Sequence, residues 1–262
     1  MDWAKNVFVR NAKLYELVLE GMWERGEEDA VAISSFLSEK GLAGCSILDA
    51  PSGIGRLAIP LARLGFQVTG VDYSSHLVGV ANKKAKALSA QPRTKFMVGD
   101  MRDVDSLFAP DTFDAVLNVF TSIGYGSEED DLRYFRAARA VTKRGGFLLI
   151  SGLRNRDYVA RNPSQNIYEE SKRLLVLDKY TFDSARSREK GIWRFFLKSG
   201  GQDGVLKFAG EFPIDVRVYS PHELVPRLQS AGWRMDATYE SLTSKGPYRA
   251  ESPVYALVAR AV

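Results

Sequence analysis

Apolar residues recur at helical spacing between residues 11 and 39, at Leu14, Leu17 and Val18 and again at Val31, Ile33, Phe36 and Leu37, with an interruption near Gly26. The spacing predicts two helices ahead of the first strand. Strand and helix patterns then alternate. Strands are expected at Cys45 to Asp49, Gln67 to Val71 with Asp72 closing it, Lys95 to Val98, Phe113 to Val119, and Phe147 to Ser151 after the Gly145-Gly146 turn. Helices are expected at Arg56 to Leu64, from a cap at Ser74 or Ser75 to about Ser89, and at Asp130 to Thr142. Repeated strand–helix units imply an α/β fold with a doubly wound parallel sheet, whose ligands sit beyond the C-terminal ends of the strands.

The pattern changes after about Arg154. Strand-like runs at Leu174 to Phe182, Trp193 to Leu197 and Val205 to Val218, with turn chemistry at Ser199-Gly-Gly-Gln-Asp-Gly204, predict an antiparallel β insertion. At roughly 60 residues it far exceeds an ordinary connection. A helix at Pro221 to Ala231, ended by Gly232, and strands at Arg234 to Ser241 and Val254 to Arg260 close the chain. The expected layout is N-terminal helices (1–44), a cofactor-binding core (45–153), the insertion as a substrate cap (154–220), and a helix with a strand pair completing the sheet (221–262).

Composition removes several classes. At 262 residues the chain is long enough for one large domain with a substantial core. One cysteine, Cys45, rules out an internal disulfide framework, and with only His76 and His222 a Cys/His zinc site is not expected. No apolar stretch approaches membrane-spanning length, and the start Met-Asp-Trp-Ala-Lys-Asn lacks the regions of a signal peptide, so a cytoplasmic protein without membrane attachment is expected. A net charge of +4, without a run of five or six like charges, gives little support to nucleic acid as a partner.

The chemistry concentrates at residues 47 to 55, Ile-Leu-Asp-Ala-Pro-Ser-Gly-Ile-Gly, where a short strand ends in an aspartate and enters a two-glycine turn. Gly53 and Gly55 let the backbone turn sharply and approach a ligand, as at nucleotide sites. Asp72, 17 residues beyond Gly55, ends the second strand, where its carboxylate can accept two ribose hydroxyls. Asp100 ends the third strand and can take an adenine amine, with Met101 against the ring. Asp49 suits an ammonium or sulfonium and would repel a pyrophosphate. Gly53-Ile-Gly55-Arg-Leu-Ala58 also matches a dinucleotide fingerprint, which keeps a nicotinamide or flavin enzyme in view. The intervening Asp-Ala-Pro-Ser, which separates the strand from its first glycine, argues against that cofactor.

Taken together, Leu48-Asp-Ala-Pro-Ser-Gly-Ile-Gly-Arg56, Gly70-Val-Asp-Tyr-Ser74, Gly99-Asp-Met-Arg-Asp103, Phe113-Asp-Ala-Val116 and Arg144-Gly-Gly-Phe147 resemble the class I S-adenosylmethionine-dependent methyltransferases. The resemblance covers about residues 45 to 151 strongly, and Val218 to Arg260 as the closing helix and strand pair. It implies a Rossmann-like, seven-stranded, mostly parallel sheet with a reversed last strand. It further implies S-adenosyl-L-methionine as cofactor, Asp49 and the Gly53/Gly55 turn near its methionine moiety, Asp72 on the ribose, Asp100 with Met101 at the adenine, and Ala50, Tyr73 and Val119 among the cofactor-binding residues. Phe120-Thr-Ser-Ile-Gly-Tyr125 and Ala12-Lys-Leu-Tyr15 are similar to segments of small-molecule members, among them the amino-sugar N,N-dimethyltransferases, where the N-terminal tyrosine covers the methionine end. Pro51, Ser52 and Ile54 depart from the commoner glycine, cysteine and threonine. No Asn-Pro-Pro-Tyr or Asp-Pro-Pro-Tyr follows the fourth strand, which removes the signature for amide or nucleobase nitrogens.

The expected reaction is methyl transfer to an N or O acceptor on a small molecule. Methylation of RNA or protein, and non-catalytic cofactor binding, stand as alternatives. Tyr125, just past the fourth strand, is the candidate catalytic and substrate-facing residue, or else a loop aromatic covering the core. Tyr15 is a cofactor lid or a helix core residue. Asn118 reaches the methionine amine or simply ends the strand. Arg217 and Tyr219 face substrate, or Arg217 makes a surface ion pair. Trp193, Phe195, Phe196, Phe208 and Phe212 build an aromatic cap or merely bury one face of a sheet. His76 and His222 read as surface residues. The sequence leaves the oligomeric state open.

Overall fold

The computed structural model describes residues 2–120, 122–162, 165–199 and 204–262. Its main sheet holds seven strands: β1 (Ser46–Asp49), β2 (Gln67–Asp72), β3 (Thr94–Val98), β4 (Phe113–Val119), β5 (Thr142–Arg154), β10 (Trp233–Tyr239) and β11 (Val254–Ala261). They lie in the order β10-β11-β5-β4-β1-β2-β3. β3, β2, β1, β4 and β5 run parallel, and β11 is antiparallel to both β5 and β10. Seven strands, doubly wound, with the last one reversed is the expected architecture.

Alternation along the strands builds two cores, because successive side chains leave a strand on opposite faces. Ile47, Leu117 and Leu149 meet Ile33, Phe36 and Leu37 of the helix Trp23–Glu39, together with the helices Ala58–Arg63 and Ser75–Ala87. Leu48, Val116 and Leu148 meet Tyr134 and Phe135 of the helix Glu128–Val141, and Leu224 and Leu228 of the helix Pro221–Ser230. Ser127 and Ser220 each open their helix with a reciprocal capping box, which satisfies amide donors that would otherwise be orphaned. Ser74 caps the helix after β2, as its position predicts.

The insertion is a four-stranded antiparallel sheet, β6 (Gln165–Glu170), β7 (Leu174–Asp183), β8 (Arg188–Ser199) and β9 (Val205–Arg217), in that order. One face buries Leu174, Val176, Trp193, Phe195, Phe212 and Ile214 against Val7, Ala12, Tyr15, Val18 and Leu19 near the N-terminus, and against Ile54 of the glycine turn. The insertion thereby packs on the glycine turn. Residues 200–203, within the predicted turn at Ser199 to Gly204, lie outside the described residues.

Several boundaries move. The break between the first two long helices, Ala12–Gly21 and Trp23–Glu39, falls at Met22, not at Gly26. Gly26 lies inside the second helix, where a Cβ would come within 2.2 Å of Arg56 Cγ, so the glycine serves close packing and does not break the helix. β1 starts at Ser46, and β5 extends from Thr142 to Arg154, well beyond the predicted Phe147 to Ser151, because β11 pairs with it as far as Arg154. The helix Trp3–Lys5 with the π-turn Asn6–Arg10, the helix Arg156–Arg161, and strand β6 were not anticipated. Each is too short to establish a period of its own.

Candidate functional site

The strand order reverses between β1 and β4, and a cavity of about 410 Å3 opens at the C-terminal ends of β1 to β4. Tyr15, Asp49, Gly53, Asp72, Tyr73, Asp100, Met101, Val119 and Tyr125, all singled out from the sequence, line it. Trp3, Phe8 and Phe120 add aromatic surface, and Arg56 adds a buried cation.

The glycine turn places its two glycines differently. Gly53 (φ +53°) lines the cavity and donates its N–H to Asp72 Oδ2 at 2.8 Å. Gly55 (φ +79°) turns toward the core, where a Cβ would lie 2.8 Å from Phe96 and 2.9 Å from Ile59. It shapes the turn without lining the cavity, and the same holds for Ala50, whose carbonyl accepts from Asn118 Nδ2 at 3.2 Å. Asn118 thus sits one layer behind the cavity, leaving its Oδ1 buried with no hydrogen-bond partner.

The acidic ladder is present but unequal. Asp49 is 1% exposed, and neither oxygen accepts a hydrogen bond. Burial pushes its carboxyl up to about 7, against the pull of Arg56 and with a further push from Asp72. Asp72 also accepts from Ser74 N–H at 2.8 Å; burial raises its pKa despite the two amide donors. Asp100 faces opposing influences, with burial pushing up and Arg102 pulling down, and Arg102 prevails so that the carboxyl lies below its ordinary range. The reason is a fork: Arg102 Nε lies 3.0 Å from Oδ1 and Nη2 2.6 Å from Oδ2, while Nη1 reaches Asp130 at 2.7 Å. Asp100 is therefore already engaged, which the sequence reading did not foresee.

The aromatic side is continuous. Phe8 stacks on Tyr125 with centroids 5.3 Å apart and meets Tyr15 edge-on at 4.6 Å, while Trp3 packs edge-on against Tyr125 at 4.9 Å. The cap joins through Trp193, 6.4 Å from Trp3 and stacked on Tyr168 at 4.5 Å. Burial raises the phenol pKa values of Tyr15, Tyr125 and Tyr168. Phe208 is exposed and lies away from this cluster, and Phe196 pairs with it instead, at 5.7 Å. Of the five cap aromatics named from the sequence, only Trp193, Phe195 and Phe212 join the packed face.

Arg217 and Tyr219 do not line the cavity. Arg217 is tied to Glu128 (3.0 Å), Glu223 (2.7 Å) and the Val218 carbonyl (2.8 Å), so its charge is met within the protein. Tyr219 donates to Asp131 Oδ2 at 2.7 Å, and Asp131 in turn lines the cavity. Asp131 Oδ1 accepts from Gly124 N–H at 2.9 Å, holding the segment that leads into Tyr125; Thr121 of that segment lies outside the described residues. His76 pairs with Glu16 at 2.7 Å and His222 with Ser220 at 2.9 Å, both outside the cavity lining. Sequence reasoning missed Arg56, Asp131, Trp3 and Phe8. Arg56 had a signal, as the residue directly after the turn; Asp131 had none, because its partners lie 7 and 88 residues away.

A family model described as "Methyltransferase domain" matches residues 47–146. YqeM of Bacillus subtilis (strain 168) is 36% identical over 118 residues, 45% of this chain and 44% of that protein, so the match spans under half the length of that relative. Among solved structures, the CcbJ methyltransferase from Streptomyces caelestis superposes with a TM-score of 0.73 at 21% identity, covering 90% of this chain and 89% of that one. S-adenosylmethionine-bound CalS10, an amino pentose methyltransferase from Micromonospora echinaspora, gives 0.71 at 17% identity, covering 95% and 96%. The cap is included in these superpositions, which extend far beyond the matched domain. Residues 47–146 are a methyltransferase domain, carried in a chain with the fold of the S-adenosylmethionine-dependent methyltransferases.

Proposed function

We propose that the protein is an S-adenosylmethionine-dependent methyltransferase acting on an N or O acceptor of a small molecule. The observation that carries the reading is the Asp49 carboxylate, buried without a hydrogen-bond partner beside the glycine turn, in a cavity with an aromatic wall. A buried, unpaired carboxylate is costly, and an ammonium-bearing ligand is the complement that offsets it. Asp72 and Tyr73 are the ribose-side residues, and Met101 flanks the base. Asp100 would contribute through the Arg102 fork as well as directly.

The chemistry supplied by that cofactor is an electrophilic methyl group on a sulfonium. The chain's own part is positioning and exclusion of water, which suffices for much of the acceleration of an in-line displacement. Phe8, Trp3, Tyr15 and Tyr125 close the apolar side, and aromatic faces favour a cation near them. Tyr125, in the loop that follows β4, is the residue assigned to the acceptor. An amine acceptor needs only to arrive neutral; a hydroxyl needs a base. The curated and structural relatives named for amino sugars and other small molecules support this class without deciding the acceptor atom.

The test is calorimetry with S-adenosylhomocysteine and with NAD, then methyl-donor consumption against a panel of amines, phenols, hydroxy acids and sugars. Binding of NAD alone overturns the assignment. A donor turned over only with RNA, with steeply salt-dependent binding, moves the reading to nucleic acid.

A further inference from the structure

We infer that the corner of the sheet formed by the end of the helix Ser75–Ala87 and the start of β3 is a docking surface for an anionic lipid bilayer. It stands apart from the cavity and is independent of the methyl-donor reading.

Between Tyr73 and Gly99 the sequence carries Lys83, Lys84, Lys86, Arg93 and Lys95 and no Asp or Glu. The whole chain has a net charge of +4, so outside this stretch acidic and basic residues nearly cancel. Lys84 is used within the protein, 3.3 Å from Glu20 and over the Trp23 ring at 5.0 Å. Lys83, Lys86, Arg93 and Lys95 are exposed, and none of them forms an ion pair among the described residues. Arg93 donates from Nη1 to the Gly65 carbonyl at 3.0 Å, which brings the end of the helix Ala58–Arg63, with its exposed Arg63, into the same corner. Thr94 Oγ1 donates to the Ala90 carbonyl at 3.0 Å and keeps the connection into β3 compact.

Two aliphatic side chains stand among these charges. Leu64 and Leu88, each the residue that caps its helix, are 47% and 39% exposed, and β3 is the last strand of the sheet, with no strand beyond it. Apolar tips flanked by cations suit a membrane interface, where the tips enter the headgroup layer and the ammoniums stay with the lipid phosphates. Other polyanionic partners fit less well. Single-stranded nucleic acid is held by aromatic faces, and Phe96, the aromatic residue between Lys83 and Val98, is buried in the core. Protein interfaces are depleted in lysine, which predominates here. No helix among the described residues is long and apolar enough to cross a membrane, so the contact is peripheral. The corner lies at the N-terminal end of β3 and the cavity at the C-terminal ends of the strands, so docking leaves the cavity uncovered.

The test is cosedimentation of the full chain with vesicles of phosphatidylcholine, and of phosphatidylcholine and phosphatidylglycerol in equal parts, at low and at high salt. Binding to the anionic vesicles alone is expected, and it should weaken as salt screens the cations. Each cation near such a surface is worth about fivefold, so Lys83→Gln, Lys86→Gln and Lys95→Gln together should reduce partitioning by about 100-fold. The same change of charge at exposed lysines of the insertion, Lys179→Gln with Lys190→Gln and Lys207→Gln, should leave it within about threefold, because those sites lie away from the corner. Leu64→Ser with Leu88→Ser should weaken binding by about tenfold and keep its salt dependence. A wild-type protein that does not bind the anionic vesicles, equal losses in the two lysine triples, or tighter binding to an RNA oligomer than to the vesicles overturns the inference.

Discussion

The Tyr219 hydroxyl donates to Asp131 Oδ2 at 2.7 Å, and through Asp131 it reaches Gly124, whose N–H meets the other carboxylate oxygen at 2.9 Å. The Gly124 carbonyl accepts from Arg217 N–H at 2.8 Å, so the loop carrying Tyr125 is pinned between the helix after it and the last cap strand. Tyr219→Phe removes one donor from a buried carboxylate and should cost about 1–3 kcal/mol of stability. Urea unfolding checks the loss, and faster amide exchange at Gly124 should accompany it. Gly124→Ala should be worse, because its Cβ would sit 2.0 Å from the Arg217 carbonyl oxygen at φ +88°.

Asp49 predicts a pH dependence with a definite sign. Its folded pKa is raised to about 7, so in the free protein it is protonated below that pH and cannot attract an ammonium. S-adenosylhomocysteine affinity should therefore be flat above pH 7 and fall by up to about tenfold per unit below it. The stability of the free protein runs the opposite way: the raised pKa favours the fold at low pH, and that advantage is lost as pH rises from about 4 to about 7. Titration calorimetry from pH 5.5 to 8.5 tests the first statement, and Asp49→Asn should abolish the slope.

Asp72 serves two ends at once. Its carboxylate organises Gly53 N–H and Ser74 N–H, both at 2.8 Å, while lining the cavity. Asp72→Ala should weaken S-adenosylhomocysteine binding by well over about tenfold, through loss of a ribose acceptor and relaxation of the turn. A variant that binds normally removes Asp72 from the site.

The cap is anchored by a buried charge cluster. Arg154, at the end of β5, lies 2.9 Å from Glu189 and 3.5 Å from Asp178, both on the buried face of the cap, and stacks over Tyr180 at 4.9 Å. Burial pushes Glu189 up to about 7 and raises Asp178. Arg154→Met strands both carboxylates and should destabilise the protein by about 3–5 kcal/mol near neutral pH. The deficit should shrink on acidification, as both carboxylates take up protons; thermal unfolding at pH 5 and pH 8 measures it.

Much of the core was legible from the chain alone. Short apolar runs alternating with helices located the strands of the parallel sheet and placed Asp49, Asp72 and Asp100 at or just past the C-terminal ends of three of them, because strand extent and strand termination are local properties. Gly53 and the residues around it were legible for the same reason. The engagement of Asp100 by Arg102 lies two residues away and was still missed, since a sequence records charge but not the rotamer that joins a fork to a carboxylate.

What the sequence determined by itself was the alternation of elements, the doubly wound sheet, the methyl-donor-type corner and the existence of an antiparallel insertion. The tertiary structure alone decided which charges line the cavity. Arg217 is consumed by Glu128 and Glu223, while Arg56, its stem packed on Gly26 and its guanidinium paired with Asp29 at 3.5 Å, stays at the cavity wall. It also decided that Trp3 and Phe8, in turns too short to show a period, join Tyr125 in one aromatic wall. Those outcomes depend on contacts between residues far apart in the chain, and burial turns the same side chain from a solvated charge into a binding group only once those contacts form.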